Sequence, residues 1–99
     1  MTVLIKCDYE VRKGVSSIFV EKCVEKCLEI KLRKISEKHK WVDGALYVKS
    51  DTLEICNLSD KTVTLVASKG ETIDGKKELC LPGGGRVDLT GAKKNWIVC

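Results

Sequence analysis

Six cysteines and one histidine are the residues of this sequence best suited to ligate a metal or attack a substrate: Cys7, Cys23, Cys27, Cys56, Cys80, Cys99 and His39. Structural zinc favours tight cysteine pairs in loops, joined by a second pair, because four donors must reach one tetrahedral centre. Cys23 and Cys27 stand a helical turn apart without such a second pair. We therefore expect no metal and no cofactor. Cysteine–histidine catalysis needs a thiolate held beside an imidazole. Cys23 and Cys27 lie several turns from His39 on the helix expected below, so Cys7, Cys56, Cys80 or Cys99 would have to fold beside it. Acidic residues are scattered, without the close pairing that acid–base work requires. The expectation is a protein that is not an enzyme.

Two other features invite a binding role. Pro82-Gly83-Gly84-Gly85-Arg86 is able to cradle an anion with its backbone amides. It lacks the Gly-Lys-Ser/Thr ending of a nucleotide loop and leads into a strand, so a flexible hairpin loop is the plainer reading. The second feature is positive charge, with 18 basic residues against 14 acidic ones and a net charge of +4. Lys31, Arg33, Lys34, Lys38 and Lys40 gather in one stretch, Lys76 and Lys77 follow a turn, and Lys93 and Lys94 precede Trp96. Lysines can neutralise phosphates and a tryptophan can stack on a base. Against this, Glu29 and Glu37 interleave with the first cluster, as on an ordinary solvated surface.

The elements that would carry these residues read as α+β. Val3, Ile5, Cys7, Tyr9 and Val11 alternate with polar residues, which predicts a half-buried strand over 2–11. From Ile18 to about His39, Val20, Cys23, Val24, Cys27, Leu28, Leu32 and Ile35 recur at helical spacing. Ser16 or Ser17 would cap this helix, glutamates lead it, lysines end it, and Asp43-Gly44 would stop it. After Ala45 the chain reads as about five or six short strands in an antiparallel arrangement, with Asp74-Gly75 as a type I′ hairpin turn. The expected architecture is a single domain, 1–99: an N-terminal strand and one long amphipathic helix packed on an antiparallel β-rich half.

Composition speaks to environment. Glutamine is absent, asparagine occurs only at Asn57 and Asn95, and lysine and glutamate dominate the charges. That bias is the one found in hyperthermophiles, where charge desolvation becomes less costly with temperature. Disulfides also persist inside such cells, and Cys7 with Cys23 is the candidate bridge. Lys6 interrupts the apolar run Val3-Leu4-Ile5, and Gly14 to Val20 is far too short for a membrane span. A thermostable, cytoplasmic protein is expected. With its length, its Lys/Glu/Cys-rich composition and the segment Leu81-Pro82-Gly83-Gly84-Gly85-Arg86, the chain resembles small proteins from filamentous or rod-shaped viruses of hyperthermophilic archaea. The resemblance implies a host-cell cytoplasmic setting and carries over no functional residue. Two functions follow as expectations: a protein-interaction module that binds itself or another protein, or sequence-independent nucleic-acid binding through the lysines.

Overall fold

The computed structural model describes residues 1–21, 28–36 and 38–98. Among these there is no helix, and the expected α+β architecture is replaced by an all-β one. The reason lies in Leu28-Glu29-Ile30-Lys31-Leu32. Leu28 and Leu32 satisfy a helical period and a strand period alike, and Ile30 decides between them. All three are buried while Glu29 and Lys31 are not, which is the two-residue alternation of a strand. Ile18 and Val20 alternate in the same way, and their branched side chains favour extended backbone. Val24, Cys23 and Cys27, which completed the helical spacing, lie outside the described residues.

Among the described residues the strands run in order: β1 (Thr2–Ile5), β2 (Tyr9–Glu10), β3 (Ser17–Val20), β4 (Leu28–Lys31), β5 (Lys38–Val42), β6 (Ala45–Lys49), β7 (Asp51–Asn57), β8 (Val63–Val66), β9 (Thr72–Ile73), β10 (Glu78–Leu81), β11 (Arg86–Ala92) and β12 (Asn95–Val98). The first long strand expected over 2–11 is two strands in different sheets, with Cys7 exposed at the corner between them. Ser16 caps no helix. Its hydroxyl accepts from the Met1 ammonium at 3.0 Å and so ties down the N-terminal strand.

One sheet has the order β1-β3-β7-β11-β12-β9, a second has β10-β8-β4-β2, and β5 pairs only with β6. The chain passes from the first sheet to the second four times, and three of these passes, β1–β2, β3–β4 and β7–β8, stack side by side. It returns in the same direction each time, so β1, β3 and β7 are parallel, as are β2, β4 and β8. Parallel neighbours need a long return path, commonly a helix; here a strand of the opposite sheet supplies it. Antiparallel pairing, expected of the strands after Ala45, occurs for β11 with β7 and β12, β10 with β8, and the β5–β6 hairpin, but β9 runs parallel to β12.

Both sheets bury one face into a single hydrophobic cluster, with Ile18, Leu53, Ile55, Leu89 and Trp96 from the first and Leu28, Ile30, Val63 and Leu65 from the second. Asn57, fully buried at the end of β7, organises the polar edge of that core. Its amide donates to the carbonyls of Lys61 at 2.7 Å, Leu81 at 3.1 Å and Pro82 at 3.2 Å, and its oxygen accepts from Ser59 N–H at 3.1 Å. The glycine loop is thereby stapled to β7. Gly84 N–H donates to Asn57 O and Gly85 N–H to Pro82 O, so neither amide is available to cradle an anion. Asn57→Ala strands several buried groups at once and is expected to cost about 3 kcal/mol. Urea unfolding followed by circular dichroism checks this; a loss below about 1 kcal/mol would mean that water replaces the staple.

Candidate functional site: a projecting hairpin and a basic cleft

The β5–β6 hairpin turns through Asp43 and Gly44, with φ of 50° and 78°. Positive φ at both central residues is the type I′ requirement. The left-handed backbone expected of a helix stop is present, but it joins two strands. Every residue from Lys40 to Tyr47 is exposed, including Trp41 at 70% and Tyr47 at 60%. Register sets Trp41 opposite Leu46 and Lys40 opposite Tyr47. The molecule measures 52 × 25 × 20 Å. The hairpin joins neither larger sheet and contributes no described residue to the hydrophobic cluster. Isolated hairpins are marginal in water, and this one exposes its large apolar residues.

At β2, an edge strand of the second sheet, an open hollow of about 350 Å³ is lined by Asp8, Tyr9, Glu10, Glu29 and Lys31. Asp8 Oδ1 accepts from Glu29 N–H at 2.9 Å, which fixes the rim of the hollow across the two strands. Lys31, expected in a nucleic-acid patch, thus stands among three acids.

A cleft of about 380 Å³ lies elsewhere, lined by Lys34, Ile35, Lys69, Gly70, Glu71, Lys93 and Lys94. Both oxygens of the Glu71 carboxylate accept from Ile35 N–H, at 3.1 and 3.0 Å, holding the segment after β4 against the turn before β9. Thr72 N–H donates to Lys94 O at 3.0 Å and so attaches the third wall. Lys93 and Lys94 form the two-residue turn between β11 and β12, with φ of 49° and 62°. Three of the expected nucleic-acid residues, Lys34, Lys93 and Lys94, meet here. Lys69 was missed, because Lys69-Gly70 signals a turn and nothing in local sequence says what that turn faces.

The remaining candidates do not join them. Arg33 is a structural clamp: Nε and Nη2 donate to the Asp51 carboxylate at 3.2 and 2.7 Å, while Nη1 donates to the carbonyls of Arg12 and Val15. Trp96 is fully buried in the core, so it cannot stack on a base. Lys76 and Lys77 are exposed beside the Asp74-Gly75 turn, which has the positive φ its sequence requires. Lys40 and Lys38 belong to the arm. His39 also falls in β5, not at a helix end. Cys7, Cys56 and Cys80 are free thiols; Cys7 faces away from the core, and its expected partner Cys23 lies outside the described residues. No cluster of metal-binding residues occurs among the described residues, and no helix among them is long and apolar enough to cross a membrane.

No family model, curated protein or solved structure matches the chain. A viral or hyperthermophilic origin therefore has no support from relatives. Lys6–Glu21 at 3.7 Å and Arg86–Glu54 at 3.3 Å are exposed pairs of the kind that contribute under about 1 kcal/mol each. Function has to be argued from geometry.

Proposed function

We propose that this protein is a non-enzymatic interaction module that self-associates, seating its β5–β6 arm in the acid-rimmed hollow at β2 of a second copy. The observation that carries the reading is the exposure of Trp41, Leu46 and Tyr47 on a hairpin outside the core. Tryptophan and tyrosine are the residues that most often anchor protein interfaces. Charge favours a second copy as the partner. The arm holds Lys38, Lys40 and Lys49 against Asp43, a net +2 with His39 neutral, and the hollow holds Asp8, Glu10 and Glu29 against Lys31, a net −2. Among the described strands β2 is an edge of its sheet, where an incoming strand can pair. Arm and hollow are different surfaces, so two copies exchanging arms close a two-fold dimer, and unreciprocated docking would build chains. Nucleic-acid binding across the surface has less support, since Arg33 and Trp96 are withdrawn into the fold and the lysines fall in separate places.

Sedimentation velocity across a concentration series tests the proposal. The wild-type protein is expected to associate, less so at high salt. Trp41→Ser should weaken association by at least ~30-fold while shifting the unfolding midpoint little, because the side chain packs on no core. Lys40→Glu and Glu10→Lys should each impair self-association, and mixing the two variants should restore it. A wild-type chain that stays monomeric at every concentration, or a mixture that fails to recover, would refute the reading.

A further inference from the structure

We infer that the lysine cleft beside the β11–β12 turn binds a small, multiply charged phosphate. Lysines from three segments far apart in sequence line it: Lys34 after β4, Lys69 before β9, and Lys93 with Lys94 after β11. Among the described lining residues the acid is Glu71, and both of its oxygens accept from Ile35 N–H. Such a convergence concentrates positive potential in a concave site, where neighbouring protein strengthens the attraction for an anion. Lysine suits the task, as a compact cation on a flexible stem with three donors.

The turn itself is the second observation. Type I′ turns need positive φ at both central residues, which favours Asn-Gly or Asp-Gly. The chain uses Asp-Gly at 43–44 and again at 74–75, both left-handed. At 93–94 it uses Lys-Lys in the same backbone conformation, where neither residue is at ease. Strain of this kind persists where the side chains serve something that backbone geometry does not. At this turn the side chains serve the cleft.

Size and surroundings set the ligand class. A cleft of about 380 Å³ lies in the range of small-molecule sites. Lys40, Lys76 and Lys77 are not in its lining, and Trp96 is buried, so there is neither a basic track nor a stacking platform for a polymer to follow. A diphosphate-sized group, free or at the end of a larger ester, matches the charge of this lining, and the probe separates it from a nucleic-acid backbone.

Isothermal titration with inorganic pyrophosphate at low salt, repeated with a single-stranded oligonucleotide, is the test. One saturable pyrophosphate site is expected, weakened about tenfold by Lys69→Gln and by Lys94→Gly. Lys76→Gln should leave it unchanged. Lys94→Gly carries its own control, because glycine relieves the turn and should raise the unfolding temperature by about 4 °C while binding falls. Absence of a saturable pyrophosphate site, binding indifferent to Lys69→Gln and Lys94→Gly, or binding of the oligonucleotide alone would overturn the inference.

Discussion

Arg33→Ala is expected to lower stability by about 4 kcal/mol, within the range for breaking a buried ion pair. The Arg33 and Asp51 side chains are only 14% and 11% exposed, so solvent screens them little. The guanidinium reaches two regions at once: the Asp51 carboxylate and the Thr52 carbonyl (3.4 Å) at the start of β7, and the carbonyls of Arg12 and Val15 after β2. Removing it leaves a shielded carboxylate, which Ser36 N–H still meets at 3.2 Å, and carbonyls that lose this donor. For a chain of this size the loss corresponds to roughly 20 °C in Tm. Arg33→Lys should rescue little, since a point charge cannot serve a carboxylate and two carbonyl corners together. In the double variant Arg33→Ala/Asp51→Ala the cost should fall well below the sum of the single losses, because no charge remains stranded. Urea unfolding of the wild type, Arg33→Ala, Arg33→Lys, Asp51→Ala and the double variant measures all of this. A loss under about 1 kcal/mol for Arg33→Ala would show that the clamp is incidental to the fold.

That clamp also shows why the fold was only partly legible in the sequence. Arg33 reads as one more cation in a basic stretch, and its role depends on Asp51, which the sequence does not connect to it. The strands after Ala45 are largely legible, because alternation in Leu53-Glu54-Ile55 and the turn Asp74-Gly75 are local signals. The region from Ile18 to Leu32 is ambiguous in a physical sense: Leu28 and Leu32 fit both periods, and lysines after glutamates suit a helix dipole as well as a strand's solvent face. Ile30 is the residue that breaks the tie. Asp43-Gly44 announces left-handed backbone correctly but does not say whether a helix or a strand precedes it. Parallel coiling was out of reach, since β1, β3 and β7 share little beyond apolar alternation. Of the basic cleft, Lys34, Lys93 and Lys94 could be named one by one, while their meeting is a property of the topology alone.

Trp96→Ala is expected to cost a further large amount, about 4 kcal/mol, by leaving a cavity in the hydrophobic core beside β12. Trp96 is fully buried on β12, and its cross-strand partner on β11 is Gly91. A Cβ on Gly91 would stand 2.8 Å from Ile35 Cγ2 and 3.1 Å from Trp96 Cζ3, so the indole and Ile35 lie directly over the bare backbone. This is where a large ring covers a glycine in a sheet. The fit has a flaw: the indole Nε1–H is buried with no acceptor among the described residues. Trp96→Phe removes that orphaned donor together with part of the ring, and the recovered desolvation offsets much of the lost packing. Its cost should therefore be about 1 kcal/mol, far below that of alanine. Gly91→Ala should cost about 2 kcal/mol by overpacking the same contact. Because Trp41 is exposed on the arm and remains in each variant, the fluorescence lost in Trp96→Phe reports the core indole alone. Equal losses for Trp96→Phe and Trp96→Ala would mean that the indole N–H finds a partner, such as a bound water, and that the ring's polar edge supports the core instead of straining it.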